Sequence, residues 1–197
     1  MTSPRMVTTQ IPVRICVRAQ YAYKFYAYKY THIYAQGYFL RKELMKIFNP
    51  KIYLDSCCFN RPFDDLLQEK VRLECEAVLT IINNCESGTW DVFRSDVLDD
   101  EIDRITNPFK KLKVLRLYSS ATLNIEISDE IISRAREFQR AVNLKPFDSL
   151  HLASAEHGGA DVLLTTDKKF INRATESDTK IKIANPAVWL MEVLFSD

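Results

Sequence analysis

The sequence predicts an α/β domain over residues 51–197, with a mostly parallel central sheet and helices on both faces. Short apolar segments typical of buried strands alternate with segments whose apolar residues recur at helical spacing. The clearest strand, Asp161-Val-Leu-Leu-Thr-Thr, is wholly apolar at its centre, which is typical of a strand buried on both sides. Strands that alternate with helices are joined by crossover connections, so the sheet is expected to be parallel.

The domain is predicted to open with a strand and a long helix. Ile52-Tyr-Leu is a short buried strand that ends at Asp55, and a loop with Asn60-Arg61-Pro62 follows it. Residues 66–85 are predicted to form an amphipathic helix. Its apolar stripe consists of Leu67, Val71, Val78, Ile81, Ile82 and Cys85.

Two further strands and a helix are predicted before residue 118. Trp90-Asp-Val-Phe-Arg is the second strand and runs into Ser95. A helix follows and breaks at Asn107-Pro108, because the residue before a proline is disfavoured in a helix. Lys113-Val-Leu-Arg-Leu is predicted to be the third strand or a strand-like stretch.

The second half of the domain contains residues typical of helix starts and helix ends. Ser128 is expected to cap one helix, and Pro146 opens another that ends at Gly158-Gly159. The strand described above then ends at Asp167. Ile181-Lys-Ile is a last short strand, and the closing helix follows Asn185-Pro186.

The segment before Lys51 has a different composition. Residues 1–50 contain eight basic residues and one acid, giving a net charge of +7, whereas residues 51–197 carry −6. A Tyr-Ala-Tyr-Lys sequence begins at Tyr21 and is repeated at Tyr26. We predict that residues 1–50 are a basic, tyrosine-rich extension that is disordered or not native, outside the α/β domain of residues 51–197.

Three interpretations of residues 1–44 remain open. They could be an organelle transit peptide, or a basic aromatic strip that stacks on single-stranded nucleic acid. We favour a third, in which translation begins at Met45 and the preceding segment is not native. On this interpretation, residues 1–44 can be removed without loss of folding.

The overall composition favours a globular domain in a reducing cytoplasm. Hydrophobic residues make up 47% of the chain and charged residues 27%, and no apolar run is long enough to cross a membrane. The five cysteines show no CxxC spacing, so the sequence predicts neither a disulfide framework nor a zinc site. Cys57 and Cys58 are expected to be small buried hydrophobic residues.

Four acidic residues are predicted to meet at one edge of the sheet. Asp55 and Asp167 each follow an apolar strand, and the carboxyl ends of parallel strands share an edge where ligands bind. Glu101 and Asp148 lie early in helices and can face the same edge. Clustered carboxylates repel one another unless a cation joins them, and Mg²⁺ or Mn²⁺ prefers such oxygen ligands. The cluster therefore predicts a metal site able to activate water for phosphodiester hydrolysis.

Each acid also has a purely structural interpretation. Asp167 could cap the helix that begins at Lys168, and Asp148 could complement a helix dipole. Glu101 could be one more solvated acid in an acidic run. A phosphotransfer domain of the receiver type also gathers acids at strand ends, but this chain lacks a convincing lysine after a later strand.

The segments around these acids resemble the PIN domain family, as found in VapC-like toxins. The matching segments are Ile52-Tyr-Leu-Asp55, Ser95 with Glu101, Phe147-Asp-Ser-Leu-His-Leu-Ala-Ser-Ala155 and Leu163-Leu-Thr-Thr-Asp-Lys-Lys-Phe170. The resemblance implies a PIN-like three-layer sandwich and a Mg²⁺- or Mn²⁺-dependent ribonuclease that cleaves single-stranded RNA. It also implies a toxin with a cognate antitoxin and, as a second partner, another copy of the chain. The alternative is a PIN-like module that binds RNA or protein without cutting.

Four other residues are candidates for substrate contact. These are Arg61, Ser95, His151 and Thr166. Arg61 could contact a phosphate, or it could pair internally with Asp64 or Asp65. His151 lies three residues after Asp148, on the same side of a helix, where it could bond the carboxylate or a phosphate.

Overall fold

Five parallel strands form the central sheet, in the order β3-β2-β1-β4-β5, in a computed structural model that describes residues 49–195. The strands are β1 Lys51–Leu54, β2 Asp91–Ser95, β3 Leu123–Ile125, β4 Val162–Leu164 and β5 Lys182–Ala184. The fold class predicted from the sequence, a PIN-like α/β sandwich with a parallel sheet, is confirmed. The interpretations of residues 1–44 and most of the 1–50 extension lie outside the described residues.

Eight α-helices occur among residues 49–195. They are α1 Ser56–Asn60, α2 Glu69–Glu86, α3 Asp96–Asp103, α4 Pro108–Tyr118, α5 Asp129–Val142, α6 Pro146–His157, α7 Lys168–Ala174 and α8 Pro186–Phe195. A 3₁₀ turn, Arg61–Phe63, follows α1. Within this part of the chain, no helix combines the length and apolar character needed to cross a membrane.

The strand order reverses direction beside β1. From β1 the chain moves to β2 and then β3, and it later crosses back to β4 and β5 on the other side of β1. Because crossovers between parallel strands are right-handed, the two directions place their helices on opposite faces of the sheet. The reversal leaves a crevice at the carboxyl ends of β1 and β4, where α/β proteins bind ligands.

The predicted third strand was wrong. Lys113–Leu117 lies within α4, and the strand that pairs with β2 is Leu123–Ile125. Asn107 caps α4 through hydrogen bonds from the main-chain N–H groups of Phe109 and Lys110, and Pro108 occupies the first turn. Asn107-Pro108 therefore both separates two helices and starts the second one.

The long helix was placed correctly, except at its start. It spans Glu69–Glu86, so Leu67 precedes it and is 92% exposed. The other members of the predicted stripe are buried: Val71, Val78, Ile81, Ile82 and Cys85. Further along, the Ser128 side chain accepts a hydrogen bond from the Ile131 N–H, which confirms it as the cap of α5.

The two tryptophans pack edge to face away from this crevice. Trp90 immediately precedes β2, and Trp189 lies on α8; their ring centroids are 5.3 Å apart. Both are nearly inaccessible to solvent, with 1% and 4% of their surfaces exposed. Their contact joins the closing helix to the amino edge of the sheet.

A buried ion pair ties the loop after α1 to helix α2. Arg61 Nε lies 3.1 Å from Glu74 Oε2, and the Glu74 side chain is only 3% exposed. Asn185 also donates to Glu74 Oε1 at 2.7 Å, which adds the loop before α8 to the same junction. Arg61 bonds Asp64 at 3.0 Å as well, so the internal partner considered from the sequence is present.

We expect Arg61→Ala to lower the free energy of unfolding by about 3 kcal/mol, because it leaves the Glu74 charge buried without its main partner. This value is at the low end of the stability loss expected when one partner of a buried ion pair is removed, because Asn185 and Lys70 still contact Glu74. Urea denaturation measures the change. Arg72→Ala is the control, because its pairs with Glu69 and Glu76 are exposed and contribute at most about 1 kcal/mol. Equal losses in the two variants would contradict a structural role for Arg61.

Candidate metal centre

The register of β1 and β4 places Asp55 and Asp167 at the same edge of the sheet. Leu54 pairs with Leu164, and the main-chain N–H of Asp55 donates to Leu164 O at 2.9 Å. Asp167 follows β4 by three residues and forms the start of α7. The prediction that strand-end acids share an edge agrees with this register.

The Asp55 carboxylate is held by one of its two oxygens. Thr165 Oγ1 donates to Asp55 Oδ2 at 2.6 Å, and Cys57 Sγ donates to the same oxygen at 3.0 Å. The other oxygen, Oδ1, lies 3.8 Å from His151 Nε2. Asp55 itself is 8% exposed, so these bonds fix its carboxylate and turn Oδ1 toward the neighbouring acids.

Cys57 was interpreted too simply from the sequence. It was expected to be only a buried hydrophobic residue, but its thiol bonds Asp55 and also accepts from the Thr166 main-chain N–H at 3.2 Å. Cys58 is wholly buried as expected, and its thiol donates to Leu164 O. Within residues 49–195, all four cysteines are free thiols.

Glu101 is held against His151. Glu101 Oε2 lies 2.8 Å from His151 Nε2. Burial raises the pKa of Glu101, but the hydrogen bond and charge of His151, together with Ser56 and Arg104, outweigh it and lower the pKa. Glu101 is therefore charged at neutral pH.

His151 is 1% exposed and contacts a different acid from the one considered first. The sequence placed it beside Asp148, whereas its closest carboxylate is Glu101. On the other side of the ring, Nδ1 lies 2.9 Å from the Tyr53 hydroxyl. Burial lowers the pKa of His151, but Glu101, Asp55 and Asp148 together raise it above the ordinary value.

Asp148 and Asp167 share a lysine. Lys145 Nζ lies 4.0 Å from Asp148 Oδ2 and 3.6 Å from Asp167 Oδ2. Burial raises the pKa of Asp148; Lys145 opposes this, while the nearby charges of Asp55 and Asp167 raise it further. Asp148 thus carries a charge that its surroundings disfavour.

Asp167 also caps helix α7, which was its structural interpretation from the sequence. Its Oδ1 accepts from the main-chain N–H groups of Lys169 and Phe170 at 2.7 and 3.3 Å. Burial raises the pKa of Asp167, but these two bonds and Lys145 lower it overall. Capping uses Oδ1 and leaves Oδ2 facing Lys145. Capping α7 therefore does not prevent Oδ2 from binding a cation.

The four acids lie in one electrostatically connected group. Asp55 and Glu101 meet at His151, Asp148 and Asp167 meet at Lys145, and Asp148 is close enough to Asp55 for the Asp55 charge to raise its pKa. Ligand atoms of Asp55, Glu101 and His151 all lie within 4.8 Å of one another. Coordination of a single ion by all four acids remains a prediction.

These residues fit a divalent cation with oxygen ligands. The donors at the edge are mainly carboxylates, which Mg²⁺ and Mn²⁺ prefer. Burial first, and then the charges of Asp55 and Asp167, keep the pKa of Asp148 raised in spite of Lys145, and a divalent cation would offset that repulsion. Asp55, Glu101, Asp148 and Asp167 are the residues that would hold it.

Two of the candidate substrate contacts do not suit that role. Ser95 is wholly buried, where its Oγ accepts from the Leu98 N–H and caps α3. Thr166 is 6% exposed, and it is the adjacent Thr165 that bonds the Asp55 carboxylate at the edge of the sheet. Successive residues of an extended chain point in opposite directions, which explains why the neighbouring threonine makes this contact. The Arg61 guanidinium is engaged by Glu74 and Asp64.

Comparison with known proteins identifies the family. The PIN domain family model matches residues 52–176, and the chain therefore belongs to the PIN domain family. PIN domains are generally nucleases and generally use divalent metals. None of the curated proteins that were compared matches this chain.

The solved structures that are similar to this chain include the following two. VapBC2 from Rickettsia felis, bound to a DNA fragment from its promoter, has 13% sequence identity and a TM-score of 0.48, and the match covers 68% of this chain and 98% of that one. PAE2754 from Pyrobaculum aerophilum has 13% identity and a TM-score of 0.44, with coverage of 74% and 98%.

We expect Asp148→Asn and Asp167→Asn to change thermal stability in opposite directions at pH 7 in chelator. The pKa of Asp148 is raised on folding, so its charge destabilises the fold above that pKa, and Asn removes the penalty. The pKa of Asp167 is lowered, so its charge stabilises the fold above its unfolded value, and Asn removes that contribution.

Thermal melts from pH 7 down to about pH 3, below the ordinary pKa of an aspartate, measure both effects. The gain from Asp148→Asn should shrink as the pH falls through the raised pKa of Asp148. The loss from Asp167→Asn should shrink as Asp167 becomes protonated in both states. A gain of similar size in both variants at pH 7 would show that the two acids do not differ as described.

Proposed function

We propose that this chain is a metal-dependent endoribonuclease that hydrolyses phosphodiester bonds of single-stranded RNA. The observation that carries the proposal is the group of four carboxylates at the β1 and β4 crevice of a PIN domain. Asp55, Glu101, Asp148 and Asp167 are the proposed catalytic residues and the proposed ligands of Mg²⁺ or Mn²⁺. Such an ion polarises a phosphoryl oxygen and lowers the pKa of a bound water.

Neighbouring groups fix the position or the charge of three of the four carboxylates. Thr165 and Cys57 fix one oxygen of Asp55 and leave the other directed toward the site. Glu101 is kept charged by His151, so it is ready to bind a cation at neutral pH. Asp167 is anchored by the start of α7, which fixes the position of its second oxygen.

An acidic domain must overcome its repulsion of RNA. Residues 51–197 carry a net charge of −6, whereas nucleic-acid-binding surfaces are usually basic. Lys145 is the basic side chain that lies within the acid group, and its side chain is 62% exposed. Lys145 is therefore placed to contact a phosphate once a cation neutralises Asp148 and Asp167. Together, the ion and Lys145 would offset the repulsion locally.

The proposed biological role is that of a toxin in a toxin-antitoxin pair. This role rests on the resemblance of the acid-bearing segments to VapC-like toxins. A cognate antitoxin protein is the proposed partner, a second copy of the chain is another, and the cytoplasm is the proposed location. Phe109 and Leu112 on α4 are 78% and 68% exposed and offer apolar surface to a protein partner.

A non-catalytic PIN-like module is the second candidate. Lys145 and His151 already lie against the four acids, so part of the carboxylate charge is offset by the protein itself. A binding module could use this arrangement without a metal. Metal-dependent cleavage separates the two functions.

We expect Asp55→Asn to reduce cleavage of single-stranded RNA by more than roughly 100-fold. Losses up to about that size are typical when a metal ligand loses a hydrogen-bond partner that does not itself bind the metal. The reason is that Asn removes a proposed ligand charge from a carboxylate fixed at the edge. The measurement is cleavage of a labelled RNA in Mn²⁺, with chelator as the metal-free reference. Asp103→Asn is the matched control, since Asp103 is an exposed acid that pairs with Lys111.

Thermal melts with and without Mn²⁺ accompany the assay. The wild type should gain stability from the ion, and Asp55→Asn should gain less, because binding to the folded state stabilises it. Full cleavage by Asp55→Asn, or cleavage by the wild type that persists in chelator, would refute the proposed nuclease site. Metal-independent RNA binding without cleavage would favour the binding module.

A further inference from the structure

A chain of buried hydrogen bonds leads from the start of α3 to the Glu101 carboxylate. The Tyr53 hydroxyl lies 2.7 Å from Ser95 Oγ and 2.9 Å from His151 Nδ1. His151 Nε2 in turn lies 2.8 Å from Glu101 Oε2. Tyr53 and Ser95 are wholly buried and His151 is 1% exposed, so these groups must satisfy one another's hydrogen-bonding capacity.

The Glu101 carboxylate fixes where the imidazole hydrogen lies. A charged carboxylate has no hydrogen to donate, so at 2.8 Å the hydrogen between the two groups resides on His151 Nε2. In the neutral ring, Nδ1 then accepts from the Tyr53 hydroxyl, the Tyr53 oxygen accepts from Ser95, and Ser95 Oγ accepts from the Leu98 N–H. If the ring is doubly protonated, Nδ1 donates to the Tyr53 hydroxyl and Tyr53 donates to Ser95 Oγ. Nε2 still carries a hydrogen in that state.

The competing assignment makes His151 Nε2 a metal ligand. The distances allow it, because ligand atoms of Asp55, Glu101 and His151 lie within 4.8 Å of one another. A ligand nitrogen must present a lone pair, which would face the lone pairs of Glu101 Oε2 at 2.8 Å. Mg²⁺ and Mn²⁺ also favour oxygen over imidazole ligands. Both arguments favour a donor at Nε2.

We propose that His151 is a positioning residue whose Nε2–H, fixed by Tyr53, orients the Glu101 carboxylate for the cation, and that His151 is not a metal ligand. The proposal rests on the metal-binding function proposed above for Glu101 and adds Tyr53 to the residues that support it. Carboxylate ligands are commonly held by outer hydrogen bonds of this kind, whose loss typically costs roughly 10–100-fold in metal affinity or activity.

The chain offers a matched pair of variants. Tyr53→Phe removes the hydroxyl that bonds His151 Nδ1. Tyr118→Phe removes another buried hydroxyl, which bonds the main chain of Ser95 and not His151. Both variants lose one hydrogen-bonding group from the same neighbourhood, so a general loosening of the structure should affect them alike.

Calorimetric titration of the full-length variants with Mn²⁺ alone tests the positioning role. We expect Tyr53→Phe to weaken Mn²⁺ binding about 10-fold and Tyr118→Phe to leave it unchanged. Equal weakening in both variants, or none in Tyr53→Phe, would overturn the proposal. Circular dichroism of each variant verifies that it is folded before titration.

Nitrogen-15 NMR of the His151 ring tests the tautomer directly in the wild type. We expect Nε2 to carry a hydrogen both without ions and with saturating Mg²⁺. Loss of that hydrogen on Mg²⁺ binding would make His151 a ligand and refute the proposal. Neither measurement uses RNA. If the protein gives the expected Mn²⁺ titration and His151 NMR results but does not cleave RNA, only the nuclease function is refuted. A wild type that binds neither ion refutes both proposals.

Discussion

The central position of β1 is the constraint on which the rest of the molecule depends. β1 pairs in parallel with β2 on one side and β4 on the other, so the carboxyl ends of all three strands reach one edge. The chain reverses its direction across the sheet beside β1, which opens the crevice at that edge. The position of Asp55 is then fixed by main-chain bonding to β4, and the other acids are brought in by helices packed around it.

Sequence reasoning could place Asp55 and Asp167 at one edge of the sheet because strand ends follow from topology. An apolar strand, once recognised, determines the edge at which its last residue lies, and Asp55 and Asp167 needed no further information. Lys113–Leu117 was misassigned because a short run of apolar residues with two basic residues, Lys113 and Arg116, fits both a strand and a partly exposed helix. The capping contacts of Asn107 and the proline in the first turn favour the helix.

Partners across the site were harder to infer, since they depend on distances between elements far apart in sequence. His151 was assigned to Asp148 by helical spacing, but helix α3 brings Glu101 closer. Thr165 and Thr166 have the same chemistry, and only the direction of the chain after β4 selects Thr165 as the partner of Asp55. Tyr53 gave no signal in sequence, because a tyrosine in a buried strand is ordinarily a core residue.

The packing of Trp90 against Trp189 gives the protein an internal optical reporter. These are the only tryptophans in the chain, and both indoles lie at the amino edge of the sheet and on α8, away from the carboxylates. Their fluorescence consequently follows the docking of the terminal helix rather than events at the acidic edge. Emission that is constant while the site is altered identifies a local change, and a red shift identifies the release of α8 into water.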